Sequence, residues 1–327
     1  MFKCQGSTSY EHRSSKETPL PAPSPHRSEG AGKGESLKMT GLELLQWSTN
    51  ALKDHQIENP RLNAELLLAH SLNLNREELY VRLHRELKEG EKGALERLIQ
   101  RRISGEPLQY ILGHQEFWSI NFKVDARVLI PRPETELLVE QSLSTLSEKT
   151  FEQKPSVLEI GTGSGAIAIA LAKEVKHIFL VATDISRDAL VLAKENAKSV
   201  GVQDRIQFVN GDLLGPFLSS KERRTFDLIL SNPPYIIRSE IGSLTKEVRD
   251  YEPVIALDGG EDGLEVYRRL ISQAPSSLRE RGWLLLEVGQ GQAQMVAEQI
   301  QGSGTFLEPQ ILPDLAGIER VVKAQRK

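Results

Sequence analysis

The chain has 327 residues, of which 39% are hydrophobic and 26% charged, proportions that are typical of a globular protein with one or two domains. Its net charge of -4 gives no general attraction to nucleic acid or to anionic membranes, so neither is expected as a direct partner. A single cysteine, Cys4, excludes an intramolecular disulfide and argues against a thiolate metal site. This cysteine usage fits a reducing cytoplasm, and no apolar run is long enough to cross a bilayer. No bound metal is expected, because no histidines lie at metal-ligand spacing.

Residues 1–38 are rich in serine, proline, glycine and charge, and they contain almost nothing that a folded core could bury. We expect them to form a disordered tail, because burial cannot offset the entropy of ordering them. Translation is expected to start at Met39, since Thr40 and Glu43 form a capping-box pattern that begins a helix directly after it. The alternative is a tail that is translated and flexible.

Residues 39–113 are predicted to form a small helical domain. Leu42, Leu45 and Leu52 follow helical spacing, and Pro60 fits the first position of a second helix. Two further helical stretches complete this domain before the chain changes its periodicity.

Residues 114–135 are predicted to form a β linker, or hairpin, between two domains. Trp118, Ile120, Phe122 and Val124 alternate with polar residues, which is typical of a half-buried strand.

Residues 136–327 alternate between short apolar strands and helices. This alternation predicts an α/β fold with a mostly parallel sheet that is covered on both faces. The predicted strands include residues 157–160, 178–182, 206–209, 228–230 and 284–288.

A glycine-rich loop follows the first of these strands and opens the next helix. Glycines at such a turn let the backbone approach a ligand closely, and the free N–H groups of the helix start favour a negative group. The loop predicts a nucleoside cofactor without identifying it, because the pattern also fits a dinucleotide. A turn needed only for packing is the alternative. The candidate residues are Glu159, Gly161, Thr162, Gly163, Ser164 and Gly165.

Two acidic residues follow the next strands. Asp184 ends the second strand, where a carboxylate can accept both hydroxyls of a ribose. It could instead favour the start of the helix after Ser186. Asp212 follows the third strand and could meet an adenine amino group, although an ordinary turn capped by this aspartate explains it nearly as well.

The tetrapeptide Asn232, Pro233, Pro234 and Tyr235 follows the strand predicted near residues 226–231. Its prolines stiffen the backbone and remove N–H donors, which leaves the Asn232 side-chain oxygen and the Pro233 carbonyl as fixed acceptors. Such a pair suits an –NH2 group on an sp² carbon, with the Tyr235 ring stacked on the conjugated plane. It also stabilises the positive charge that grows when this nitrogen attacks a methyl sulfonium. The alternative is a stiff loop with a buried tyrosine.

These motifs together resemble the HemK/PrmC family of protein-(glutamine-N5) methyltransferases, which modify peptide chain release factors. Residues 232–235 are shared with many amino-methylating enzymes. More specific matches lie at residues 106–113, 129–136, 257–264 and 314–322.

The resemblance implies a class I, Rossmann-like methyltransferase domain after a helical substrate-recognition domain and a β-hairpin linker. It implies that Asn232, Pro233, Pro234 and Tyr235 hold the glutamine of a release factor's Gly-Gly-Gln loop. From the chemistry of the acceptors we expect catalysis to depend on Asn232, Pro233 and Tyr235. Leu213 stands where family members often carry an aromatic residue, so a ring that could stack on adenine is missing there. The resemblance implies that residues 161–165 and Asp184 hold S-adenosylmethionine. Together with the candidates read from the residues themselves, the predicted cofactor site consists of Glu159, Gly161, Thr162, Gly163, Ser164, Gly165, Asp184, Asp212, Leu213 and Asn232.

Three other functions stay open at this point. A nucleic-acid amino-methyltransferase is disfavoured by the acidic net charge and the lack of a long basic stretch. An enzyme for a ribosomal-protein glutamine is disfavoured by the sequence of residues 131–136, which looks like that of release-factor enzymes. A non-catalytic nucleotide-binding adaptor would not need the acceptors of residues 232–235.

Overall fold

A computed structural model describes residues 39–147, 154–218 and 225–327. The tail predicted for residues 1–38 lies outside these ranges. The chain divides into two compact units, with the boundary between Glu106 and Pro107.

The first unit is helical, as the sequence predicts. The capping box at its start is present, because the Thr40 hydroxyl accepts from the Glu43 N–H and the Glu43 carboxylate accepts from the Thr40 N–H. Buried leucines form its core, and the buried carboxylate of Glu65 accepts hydrogen bonds from Arg76 and Tyr80. Its helices are α1 (Gly41–Asp54), α2 (Pro60–Ser71), α3 (Arg76–Arg82) and α4 (Glu89–Ile103).

The second unit begins with α5 (Leu108–Leu112) and an antiparallel hairpin of β1 (His114–Phe117) and β2 (Ile120–Lys123). The predicted alternation is present after Ile120, but Trp118 lies in the turn rather than in a strand. Its φ of 51° and that of Ser119, 53°, match a two-residue hairpin turn, which requires positive φ at both positions. Periodicity alone missed this turn because neither residue is glycine.

A seven-stranded sheet forms the centre of the second unit, in the order β5-β4-β3-β6-β7-β9-β8. The strands β3 to β7 are parallel, whereas β9 runs antiparallel to both of its neighbours. The mostly parallel sheet of the sequence prediction is therefore confirmed. The strands are β3 (Ser156–Ile160), β4 (Phe179–Asp184), β5 (Ile206–Asn210), β6 (Phe226–Ser231), β7 (Leu278–Glu287), β8 (Gln310–Pro313) and β9 (Glu319–Gln325).

Helices cover both faces of this sheet. Successive strand residues face opposite sides, so Val157 and Leu228 belong to one hydrophobic cluster while Leu158 and Ile229 belong to the other. Burial on both faces explains why these strands are apolar runs without alternation. The helices are α6 (Glu136–Ser147), α7 (Ala166–Glu174), α8 (Arg187–Val200), α9 (Gly215–Leu218), α10 (Lys246–Tyr251), α11 (Glu265–Gln273) and α12 (Ala293–Gly302).

The strand order reverses at β3. The chain proceeds from β3 outward to β4 and β5, and it then returns to place β6 on the other side of β3. The connections that leave β3 and β6 therefore diverge, which opens a crevice beyond the carboxyl ends of these strands. In the paired register Ile160 lies opposite Ser231, so Gly161 and Asn232 enter this crevice side by side.

The buried side chain of Asn196 on α8 ties the hairpin to the loop after β3. Its amide nitrogen donates to the carbonyl oxygens of Lys123, at 3.0 Å, and Ser164, at 2.9 Å. Its oxygen accepts from the Lys123 N–H at 2.9 Å. One side chain thus satisfies backbone groups from two segments.

We expect Asn196→Ala to lower the free energy of unfolding by about 1–3 kcal/mol, because buried backbone groups lose their partners. Glu195→Ala is the matched control: the neighbouring side chain is exposed in its ion pair with Lys123, so its loss should leave stability nearly unchanged. Urea denaturation of both variants measures the difference, and equal losses would contradict the assigned role of Asn196.

Candidate functional site

One cavity of about 310 Å³ opens at the carboxyl ends of β3, β4, β5 and β6. Tyr235 and Gly165 do not belong to its lining. The other candidate residues of the sequence prediction meet around it, namely Glu159, Gly161, Thr162, Gly163, Ser164, Asp184, Asp212, Leu213, Asn232, Pro233 and Pro234.

The glycines of the loop after β3 divide into two kinds. A side chain added at Gly163 would meet nothing within 4 Å, and one added at Gly161 would approach only the Asn232 carbonyl oxygen, at 3.9 Å. Their positive φ values, 55° and 75°, and their missing side chains leave backbone exposed to the cavity. Gly165 instead allows close packing, because an added Cβ would lie 2.9 Å from the side chain of Ile169.

Glu159 is a buried carboxyl in the lining of the cavity, only 1% exposed. Its Oε2 accepts from the Thr162 hydroxyl at 2.6 Å and the Ala168 N–H at 3.1 Å, whereas its Oε1 has no partner among the described residues. Burial raises the pKa of Glu159 to about 7, although the bonds from Thr162 and Ala168 oppose this rise. A buried acceptor without a partner suits a cationic group of a ligand.

Asp184 is fixed at the end of β4 by backbone donors. Its Oδ2 accepts from the Gly163 N–H at 2.9 Å and its Oδ1 from the Ser186 N–H at 2.8 Å. Burial raises its pKa, and these hydrogen bonds oppose the rise. Each carboxylate oxygen can accept more than one hydrogen bond, so acceptor capacity toward the cavity is left for a ligand.

Apolar and acidic groups line the cavity beyond β4 and β5. Asp212 pairs with Arg269, and its backbone carbonyl also accepts from Gly215 as part of a turn. Leu213 adopts a positive φ of 49° and packs against the hydrophobic cluster of α11 and α12. Ile185, which is 51% exposed and lines the same cavity, was missed from the sequence; its place directly after Asp184 was the available signal.

Asn232 presents its side chain between the cavity and the start of α6. Its amide nitrogen donates to the buried Thr135 hydroxyl at 3.1 Å. No described residue donates a hydrogen bond to the Asn232 side-chain oxygen or to the Pro233 carbonyl. Both acceptors of the sequence prediction are therefore available for a ligand.

The backbone of Tyr235 is enclosed by glycines. A Cβ added at Gly259 would lie 2.7 Å from the Tyr235 Cα, and one at Gly263 would lie 2.6 Å from its carbonyl oxygen. The Gln292 amide donates to the same oxygen at 2.9 Å. Close packing thus explains the glycines within residues 257–264. The Tyr235 ring packs against a hydrophobic cluster, so the predicted stacking on a substrate stays a prediction.

Sequence reasoning missed two buried acidic residues, Glu252 and Glu287. Glu252 accepts from the Ile130 N–H and pairs with Arg132, which holds the loop before α6 beside the cavity. Glu287 ends β7 next to Asn232 and is 3% exposed. Neither belongs to a recognisable spacing pattern, because each meets its partner through the tertiary fold.

Comparisons with known proteins identify the family. The model of the PrmC N-terminal domain matches residues 43–113, and that of the methyltransferase small domain matches residues 134–248. A release factor glutamine methyltransferase from Bradyrhizobium diazoefficiens is 42% identical over 275 residues, which cover 84% of this chain and 91% of that protein. One from Moorella thermoacetica is 41% identical over 289 residues, which cover 88% of this chain and 99% of that protein. The chain belongs to the release factor glutamine methyltransferase family.

Membership of this family makes the chain an S-adenosylmethionine-dependent methyltransferase. The catalytic domain of hMettl16, solved in complex with MAT2A 3'UTR hairpin 1, has a TM-score of 0.51 at 16% identity, and the match covers 69% of this chain and 80% of that chain. That likeness shows the shared fold alone. The predicted family, class I fold and cofactor are confirmed. The PrmC N-terminal model ends at residue 113, so it includes α5, which lies in the second compact unit.

The buried carboxyl of Glu159 predicts how stability of this methyltransferase depends on pH. Its pKa in the folded protein, about 7, lies above the ordinary value of 4.5. Protonated Glu159 therefore stabilises the fold at low pH, and this stabilisation is lost as pH rises through about 7. The free energy of unfolding of the wild type should therefore fall between about pH 5 and pH 8. We expect this fall to be about 2–3 kcal/mol smaller in Glu159→Gln.

Chemical denaturation of the cofactor-free protein across this pH range measures the effect. Glu195→Gln is the control, because Lys123 lowers the pKa of that exposed carboxyl and it stays charged throughout. An unchanged pH dependence in Glu159→Gln would contradict the assignment.

Proposed function

We propose that this methyltransferase transfers the methyl group of S-adenosylmethionine to the side-chain amide nitrogen of the glutamine in the Gly-Gly-Gln loop of peptide chain release factors. The observation that carries the proposal is the pair of unused acceptors on Asn232 and Pro233 at the edge of the cavity. The names of the 41–42% identical relatives support the same substrate.

The residues of the cavity fit the cofactor. The unpartnered Oε1 of Glu159 suits the ammonium of its methionine portion, and the open backbone at Gly161 and Gly163 leaves room beside it. The remaining acceptor capacity of Asp184 suits the ribose hydroxyls. Leu213 and Ile185 offer apolar surface to a base. Bound S-adenosylmethionine supplies an electrophilic methyl group on a sulfonium.

The Asn232 side-chain oxygen and the Pro233 carbonyl would each accept one N–H of the glutamine amide. These two hydrogen bonds orient the nitrogen and fix its approach to the methyl group. The entropy lost in bringing the two together is then paid on binding rather than in the transition state. It also stabilises the positive charge that grows on the nitrogen during transfer, since both acceptors are already in place. No strong base is needed beforehand, because the methylated nitrogen is acidic enough to release its proton afterwards.

The assignments of domains and location extend the proposal. We assign recognition of the release factor to the helical residues 39–113, a linking role to residues 114–135 and catalysis to residues 136–327. Because release factors act on ribosomes, the enzyme would work in the cytoplasm. Among the described helices, none combines the length and the apolar composition that crossing a bilayer requires. A lack of direct nucleic-acid binding remains a prediction.

Purified enzyme is expected to transfer labelled methyl from S-adenosylmethionine to unmodified release factor, and not to oligonucleotides or to a ribosomal protein. A release factor in which alanine replaces the glutamine of the Gly-Gly-Gln loop should accept no label. Methylation of oligonucleotides or of the ribosomal protein in preference to release factor would overturn the proposed substrate.

Asn232→Ala is expected to lower kcat by about 100- to 1,000-fold, the usual cost of removing one preorganised hydrogen-bonding group from a transition state. Cofactor affinity should change little, since Glu159 and Asp184 remain. Asn121→Ala, at an exposed position on β2, is the matched control and should retain full activity. Full turnover by Asn232→Ala would contradict the mechanism.

A further inference from the structure

The buried carboxyl of Glu287 lies at the carboxyl end of β7, beside the tetrapeptide. In the paired register Leu286 lies opposite Ser231, so Glu287 and Asn232 leave neighbouring strands at the same level. The Glu287 side chain is almost fully buried, and its Oε2 has no hydrogen-bond partner among the described residues. A buried acceptor of this kind is costly, so the fold retains it at a cost in stability.

Two side chains, those of Thr135 and Asn232, lie between Glu287 and the acceptor site. The Asn232 amide nitrogen donates to the Thr135 hydroxyl at 3.1 Å. Thr135 and Asn232 also act as hydrogen-bonding neighbours of the Glu287 carboxyl, and both favour its charged form. A hydroxyl that accepts from one amide is free to donate its own proton to a carboxylate, so Thr135 is able to link the Asn232 amide to Glu287 in one directed network.

We infer that Glu287 is a positioning residue for methyl transfer, because with Thr135 it holds the Asn232 amide in the one orientation that presents its oxygen to the acceptor nitrogen. This inference rests on the proposed function of Asn232. It adds a role for a residue that never touches the substrate.

The need for such a residue follows from the shape of an amide. The oxygen and nitrogen of an asparagine side chain are nearly equal in size, so packing alone hardly distinguishes the two rotations. An ionised carboxylate only accepts hydrogen bonds, and it therefore selects the rotation with the Asn232 nitrogen inward. The opposite rotation would place its N–H groups against those of the substrate amide, where no hydrogen bond can form.

The ionisation of Glu287 would control this selection. Burial raises its pKa to about 7, opposed by Thr135, Arg320 and Asn232, while Glu134 raises it further. Tyr235 and Tyr267 also face it; burial raises the pKa of both, and the charge of Glu287 adds to the rise. The folded pKa exceeds the ordinary 4.5, so the carboxyl gains its proton as pH falls through about 7. A protonated carboxyl can donate as well as accept, and the selection is then lost.

The first experiment observes Asn232 without any substrate. Nuclear magnetic resonance of the cofactor-free protein, labelled with ¹⁵N-asparagine, resolves the side-chain amides, and Asn232→Ala assigns the relevant signal. We expect this signal to titrate with an apparent pKa near 7 in the wild type and not to titrate in Glu287→Gln. Glu280→Gln, at an exposed position on the same strand, should leave the titration unchanged.

The second experiment measures kcat and KM for release factor across the same pH range. Wild-type kcat should fall as pH drops through about 7, whereas Glu287→Gln should show about a 10- to 100-fold lower kcat, a flat profile and little change in KM. Thr135→Val should behave similarly, and Thr135→Ser should restore most of the rate. Thermal unfolding and cofactor affinity verify that each variant is folded. If Glu287→Gln does not fold, the kcat and pH profile of Thr135→Val test the inference instead.

The outcomes separate this inference from the proposed function. An Asn232 signal that does not titrate, or a Glu287→Gln enzyme with the wild-type rate and pH profile, overturns the role of Glu287. A titrating Asn232 signal in a protein that does not methylate release factor supports the network while overturning the proposed substrate.

Discussion

The register of three adjacent parallel strands decides where the functional groups of this protein meet. Ser231 of β6 lies opposite Ile160 of β3 on one side and Leu286 of β7 on the other. Gly161, Asn232 and Glu287 are the next residues along the chain, so the glycine loop, the tetrapeptide and the buried carboxyl emerge side by side. A slip of one residue would reverse which face each side chain occupies, and it would disrupt the close packing of the two different hydrophobic clusters on these faces.

Two buried carboxyls at this edge of the sheet oppose the stability of the cofactor-free fold at neutral pH. Burial raises the pKa of both Glu159 and Glu287 to about 7, and one oxygen of each has no partner among the described residues. Ordinary packing would replace such groups with apolar ones, because unpaired buried charge is costly. Their neighbours offer a reason for their presence: Glu159 faces a cavity suited to a cationic ligand, and Glu287 lies beside Asn232 of the proposed acceptor site. Local instability of this kind is typical of functional sites.

The sequence predictions were correct for those elements and motifs whose pattern lies within one short stretch of the chain. The glycine loop, the start of α1 at Thr40 and the order of strands and helices depend on neighbouring residues, and each is present as expected. Trp118 was misplaced because a hairpin turn without glycine looks like a continued strand. Thr135 lies 97 residues from Asn232, and no periodicity connects them.

The sequence by itself determined the α/β architecture, the nucleoside loop and the acceptor tetrapeptide, because apolar periodicity and the backbone limits of glycine and proline act over a few residues. Only the tertiary structure decided that Tyr235 packs beside the cavity rather than lining it, that Gly165 serves packing, and that Thr135 and Glu287 lie beside Asn232. These facts depend on strand order and register, which are set by burial across the whole sheet rather than by any one segment.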